Sequence, residues 1–246
     1  MDGLPQETAK KPAPDEKPLP KDFTNSIGMK FVLVPKGKSS LGGGGGKPGT
    51  KEVTIPRDYY LGVYEVTQEE WQIVMRENPS SFKPVDQKRF PVEQVSWYDA
   101  QVFMKKLNDR EKQPGWIYRL PTEIEWEYAC RNGPMKDPSE SAFDYYFDKP
   151  TNQILPTKAN YHNEQGLKRT CKVGSYPPNR LGLYDMHGNV WEWCDDAQVN
   201  REVYRIIRGG SISAQFEGCR AANRPDRPPE SRQYDCGLRV ARVRIP

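Results

Sequence analysis

The stretch LYDMHGNVWEWCDD, residues 183–196, sets Asp185, Asn189, Glu192, Asp195 and Asp196 around two tryptophans and a cysteine. Two arrangements suit that set. Calcium takes about six to eight oxygen ligands from carboxylates, amides and backbone carbonyls, and GLYDMHGNVWEW offers such a set in one compact turn. Gly188 and Asn189 are residue types that adopt the positive φ needed to point successive carbonyls inward. The alternative is a plain turn in which Asp185 and Glu192 accept hydrogen bonds from local N–H groups. Residue types alone leave both open, although the spacing is not the DxDxDG of an EF-hand. Trp191 and Trp193 read as core, with one of them able to line a groove. Cys194 reads as a small buried hydrophobe, since no cation lies beside it in sequence to depress its pKa.

Thiols form the second chemically capable group. Cys130, Cys171, Cys194, Cys219 and Cys236 contain no CxxC pair, and there are only two histidines, His162 and His187. That excludes a typical zinc site. The odd count is compatible with one or two disulfides or with none, so cysteine usage leaves the compartment open. The five consecutive glycines of LGGGGGKPGT are not a phosphate cradle, because neither a GKS or GKT ending nor a helix pattern follows them.

These residues need elements to hold them. MKFVLVPKG predicts a strand with Phe31 and Leu33 on one face and Val32 and Val34 on the other. KEVTIPRDYYLGVYEVT predicts a hairpin-like pair turning at Pro56-Arg57-Asp58. Thr67 with Glu70, Ser96 with Asp99 and Thr122 with Glu125 each place a capping hydroxyl three residues before a carboxylate. Each therefore starts a short amphipathic helix, and Gly133 ends the third with φ > 0. RIIRGGS reads as a short strand closed by glycines, and GLRVARV as a terminal strand with one buried face.

Bulk properties bound the rest. The chain has 246 residues, 35% hydrophobic, with an aromatic payload of 6 Trp, 13 Tyr and 8 Phe and with 20 Gly and 23 Pro. One loop-rich α+β domain follows, with no transmembrane span. Residues 1–22 are Pro- and Lys-rich and read as a disordered spacer, leaving 23–246 as the domain. A spacer of this kind suits a segment following a removed signal or anchor, which favours an extracytoplasmic location; otherwise the cytoplasm is expected. The net charge of +4 is dispersed. Acidic residues interleave with the arginines of CRAANRPDRPPESRQYDCGLRVARVRIP, predicting structural ion pairs rather than nucleic-acid binding.

The ordered series NSIGMKFVLVPKG, YYLGVYEVTQEEWQ, FPVEQVSWYDAQVF, YRLPTEIEWEYACRNG, NRLGLYDMHGNVWEW, RIIRGGS and CGLRVAR resembles the formylglycine-generating enzyme family, the sulfatase-modifying factor domain. The resemblance implies an irregular α+β fold related to C-type lectin-like domains and braced by calcium. It implies one ion on Asp185, the Gly188 and Val190 carbonyls and Glu192. It implies a second at Asn160 and the Tyr161 carbonyl, where the further acidic residue falls near Gln165 and only Glu164 stands close. It also ties Cys130 to Cys219, and a second family disulfide would fall on Met104 and Val240, which are apolar here.

Catalytic members of the family hold Cu(I) on two cysteines in the pattern RGGS-x-x-C-x-x-x-x-C, since paired thiolates select that soft ion. Here the stretch reads RGGSISAQFEGC, with Ala214 at the first position and Cys219 at the second. Copper is therefore not expected. Cys219 and Ser211 are the weak catalytic candidates of a copper-dependent oxidase acting on a sulfatase peptide. The leading expectation is instead a calcium-stabilised, monomeric, non-catalytic module binding a protein, peptide or glycan, with Arg220, Arg224 and Tyr234 as groove contacts beside Arg227 and Arg232, and the oxidase is the alternative.

Overall fold

The alternation in MKFVLV decides where the core lies. The computed structural model describes residues 18–245, and there Lys30–Val34 forms a strand, β2. Phe31 enters one hydrophobic cluster with Tyr60, Trp71 and Phe103, while Val32 and Val34 enter another with Tyr59, Leu61 and Trp126. Side chains of a strand point alternately to opposite faces, so both faces of this sheet are covered. Its five antiparallel strands run in the order β1 (Asp22–Thr24), β2, β5 (Tyr59–Gly62), β11 (Ala241–Arg244) and β6 (Trp116–Arg119).

A second sheet has the order β10 (Cys236–Leu238), β7 (Trp191–Gln198), β8 (Arg201–Arg208) and β9 (Asp226–Arg227), with β10 parallel to β7. A separate pair joins β3 (Gly37–Leu41) to β4 (Lys51–Ile55). All three predicted capping boxes form. They open α1 (Gln68–Met75), α2 (Trp97–Glu111) and α3 (Glu123–Cys130), and Gly133 takes φ 86° after the third. Trp71 of α1 stacks on Phe103 of α2 at 5.0 Å between ring centroids, which locks the two helices over one face of the first sheet.

Four readings need correction. The strands around Pro56 do not pair with each other: β4 closes a hairpin with β3 across the glycine loop, and β5 has both edges occupied by β2 and β11. GLRVARV is not one strand, because β10 and β11 belong to different sheets and Arg239 turns inward between them. The domain begins before residue 23: Asp22 pairs with Val32, Leu19 packs on the core and the Pro20 carbonyl accepts from Tyr60. Residues 1–17 of the expected spacer lie outside the described residues.

The fourth correction concerns cysteine. All five are free thiols, and the Cys130–Cys219 bridge is not formed. Met104 and Val240 both sit in the first hydrophobic cluster, where packing holds the two segments together. Among the described residues no helix is long and apolar enough to cross a membrane.

Candidate functional site

Strand β7 carries Trp191 and Trp193 on one face, both in the first hydrophobic cluster, and so turns Glu192 to the other side. Glu192 is fully buried there, opposite the fully buried Arg239. The Arg239 Nη2 donates to Glu192 Oε1 at 2.6 Å, its Nε donates to both carboxylate oxygens, and Trp126 Nε1 of α3 donates to Oε2 at 2.6 Å. The rest of the guanidinium donates to the carbonyls of Gly62, Val63 and Tyr184. One cation thereby ties β5, α3, β7 and the 183–190 turn together.

Two more carboxylates are buried beside this pair. Glu65 accepts from the Val190 N–H at 3.1 Å and from Asn189 Nδ2 at 2.7 Å. Asp185, in the left-handed region at φ 57°, accepts from the Gly174 N–H at 2.7 Å. Burial, followed by the charges of Asp185 and Glu192, raises the Glu65 pKa well above the usual range. Burial likewise pushes Asp185 up to about 6. Three buried carboxylates thus face one buried guanidinium, with the exposed Arg89 acting on Asp185 from outside, and a buried excess of negative charge favours either proton uptake or a cation.

The implied calcium ligands fit this geometry in part. The charge balance suits a divalent cation near Asp185. Gly188 has φ 111°, and a Cβ there would sit 2.4 Å from the Asn160 carbonyl oxygen, so no side chain intrudes on the turn. Glu192 does not fit as a ligand, since Arg239 and Trp126 occupy its oxygens. At the second implied site Asn160 donates to the Arg169 carbonyl and to Asn189 Oδ1, and its own carbonyl accepts from the Asn189 N–H. The Tyr161 carbonyl accepts from Asn163 Nδ2. Among the described residues no group of three or more His, Cys, Asp or Glu side chains could hold a metal ion.

His187 lies between the two cysteines that were expected to pair. Its Nε2 accepts from the Tyr146 N–H at 2.8 Å, so the proton resides on Nδ1, which donates to the Cys219 carbonyl at 2.8 Å. Cys130 Sγ stands 3.6 Å from Nε2. Burial lowers the His187 pKa to about 4 and raises both thiols to about 12. Neither cysteine is a thiolate at neutral pH.

The segment after β8 brings together most of the remaining predicted residues. Gly209 and Gly210 turn the chain with φ 96° and 82°. Ser211 is fully buried and donates to Asp235 Oδ2 at 2.8 Å, and Cys219 is fully buried behind it. Ala214 occupies the position where a second thiol would stand, packed between two apolar clusters. Tyr234 is half exposed, with its hydroxyl 3.0 Å from Ser213 Oγ, and Phe216 is similarly open. The expected groove arginines are paired: Arg220 with Asp144, Arg224 with Glu123, Arg227 with Asp235 and Arg232 with Asp99.

A family model, the sulfatase-modifying factor enzyme 1-like domain, matches residues 16–244. The chain belongs to this family. It is similar to the chaperone protein LppX of Paenibacillus barcinonensis, 34% identical over 204 residues covering 65% of this chain and 71% of that protein. It is also similar to the formylglycine-generating enzyme of Mus musculus, 31% identical over 185 residues, 63% of this chain and 45% of the enzyme. The chain therefore spans less than half the length of that enzyme. Among solved structures, Treponema denticola variable protein 1 superposes with a TM-score of 0.76 at 27% identity, covering 92% of this chain and all of that one. The irregular α+β arrangement is the formylglycine-generating enzyme fold, related to C-type lectin-like domains.

Sequence reasoning missed Glu65, Arg239 and the structural role of His187. The available signal was a charged residue inside an otherwise apolar run, in GVYEVT and CGLRVAR. Two outcomes test this site. Replacing Arg239 with Met leaves Glu192 buried without its cation and is expected to cost about 3–5 kcal/mol in urea unfolding. His187 is neutral when folded, so as pH falls the unfolded chain protonates first. Its contribution is complete above pH 6.5 and is lost progressively toward about pH 4. Asp185, whose pKa is raised, acts in the opposite direction, so the His187 effect is measured as the difference between wild type and His187→Gln.

Proposed function

We propose that this domain is a non-catalytic binding module whose ligand surface lies after Ser211, where Tyr234 and Phe216 are open to a protein, peptide or glycan. One observation carries the reading. The segment that holds paired thiols in a copper oxidase has Ala214 at the first position and, at the second, Cys219 as a fully buried thiol with its pKa pushed up to about 12. A buried, protonated, single sulfur cannot supply the two-thiolate site that Cu(I) requires. The paired arginines leave this surface close to charge-balanced, which favours contact through aromatic faces and hydroxyls over capture of an anion. The likeness to a protein named as a chaperone supports binding of a polypeptide.

Calcium belongs to the same proposal as a structural ion, held by Asp185 and the Gly188 and Val190 carbonyls with water. Its support is the three-to-one ratio of buried carboxylates to guanidinium around Arg239.

Cu(I) titration against a chromophoric chelator separates the module from an oxidase. The expected result is no stoichiometric uptake at submicromolar affinity, and such uptake, if abolished by Cys219→Ser, would overturn the proposal. For calcium, the melting temperature is expected to fall when EDTA replaces calcium chloride. An identical melting curve in the two buffers would remove the ion from the scheme.

A further inference from the structure

The basic residues on the far side of the 143–147 segment differ from the paired arginines after Ser211. Three open cavities of about 390, 290 and 260 Å³ lie along the 133–158 loop. They share walls. Met135 lines the first two, and Tyr146 and Phe147 continue the wall to the third past a small cavity beside His187. Lys38, Lys136, Arg180, Lys149 and Lys158 line this trough, all exposed. Among the described residues none of the five is in an ion pair, whereas all four arginines named in the Ser211 groove are.

The acidic lining does not balance these cations. Three carboxylates, Glu52, Glu140 and Asp148, stand against the five cations, so the lining keeps an excess of positive charge. Met135, Phe143 and the half-exposed Leu155 supply apolar surface between the cations.

We propose that this trough binds an extended acidic peptide, with carboxylates on Lys38, Lys136, Lys149 and Lys158 and with apolar side chains against Met135, Phe143 and Leu155. Unpaired cations along a groove attract and orient an anionic chain. An extended peptide alternates its side chains, so acidic and apolar residues reach the cations and the apolar surface in turn. A sulfated glycan would satisfy the lysines but leave the apolar surface against hydroxyls. The trough is separate from the Ser211 surface: Tyr145 donates to the Phe216 carbonyl and Asp144 pairs with Arg220 across the dividing segment.

The test uses the full chain and a dye-labelled peptide in which glutamates alternate with leucines, read by fluorescence anisotropy. Saturable binding is expected, weakening with added salt and weakening by about tenfold or more in the double variant Lys38→Glu, Lys136→Glu. Both lysines are exposed, so that variant should keep the wild-type circular dichroism and melting temperature. Tyr234→Ala should bind as wild type. The proposal is overturned by absence of saturable binding, by equal binding of a peptide with lysine in place of glutamate, or by undiminished binding in the double variant. Tighter binding of heparin than of the peptide would reassign the trough to an anionic glycan and overturn the peptide.

Discussion

The ion pair between Arg239 and Glu192 is the constraint on which the rest of this fold depends. Both side chains are fully buried, and the guanidinium also satisfies the carbonyls of Gly62, Val63 and Tyr184. A buried charge is tolerated only when paired and hydrogen-bonded, so these groups must converge or the domain bears an uncompensated charge. That requirement explains why the C-terminal stretch breaks between β10 and β11: Arg239 has to face inward while its neighbours join different sheets. A second buried network, Glu127 with Arg131 and Arg208, ties α3 to β8 in the same manner. There, despite burial, the two guanidinium groups hold Glu127 below its usual pKa.

With little regular structure, the domain relies on such polar anchors between layers. His187 is one more: neutral, with both ring nitrogens engaged by backbone, it joins the 183–190 turn to the 143–147 segment and to Cys219. Surface charge divides along the same segment. Carboxylates neutralise the arginines after Ser211, while the cations over the 133–158 loop face solvent. The proposed aromatic surface and the proposed acidic-peptide trough are therefore distinguished by electrostatics within one rigid frame.

Local features were legible where the chemistry is local. Thr67, Ser96 and Thr122 with their carboxylates three residues on define helix starts because both bonds of a capping box close within one turn. Phe31 and Val32 divide between two clusters because strand geometry alternates. The interleaved acids around Arg220 to Arg232 announced ion pairs, but only Arg227 with Asp235 forms inside the segment, while Arg220, Arg224 and Arg232 pair with the distant Asp144, Glu123 and Asp99. Pairing between strands was less legible: β4 and β5 are adjacent in sequence and looked like partners, yet each found a more distant one, since edge pairing depends on which faces the core covers. The expected disulfide failed for a related reason, because proximity in a family pattern does not place two sulfurs within bonding geometry.

By itself the sequence determined the family, the α+β class, the three helices and the absence of a paired-thiol site, all of which rest on residue identity and short spacing. Tertiary structure alone decided that Glu192 faces a guanidinium, that Glu65 joins Asp185 in a buried acidic cluster and that the groove arginines are neutralised. Most of these depend on contacts between distant segments, from 47 residues apart for Glu192 and Arg239 to 125 for Glu65 and Val190 and 177 for Arg239 and Gly62, and no local pattern encodes them. The reason is energetic: a buried charge takes whatever partner the packed layers bring within hydrogen-bonding distance.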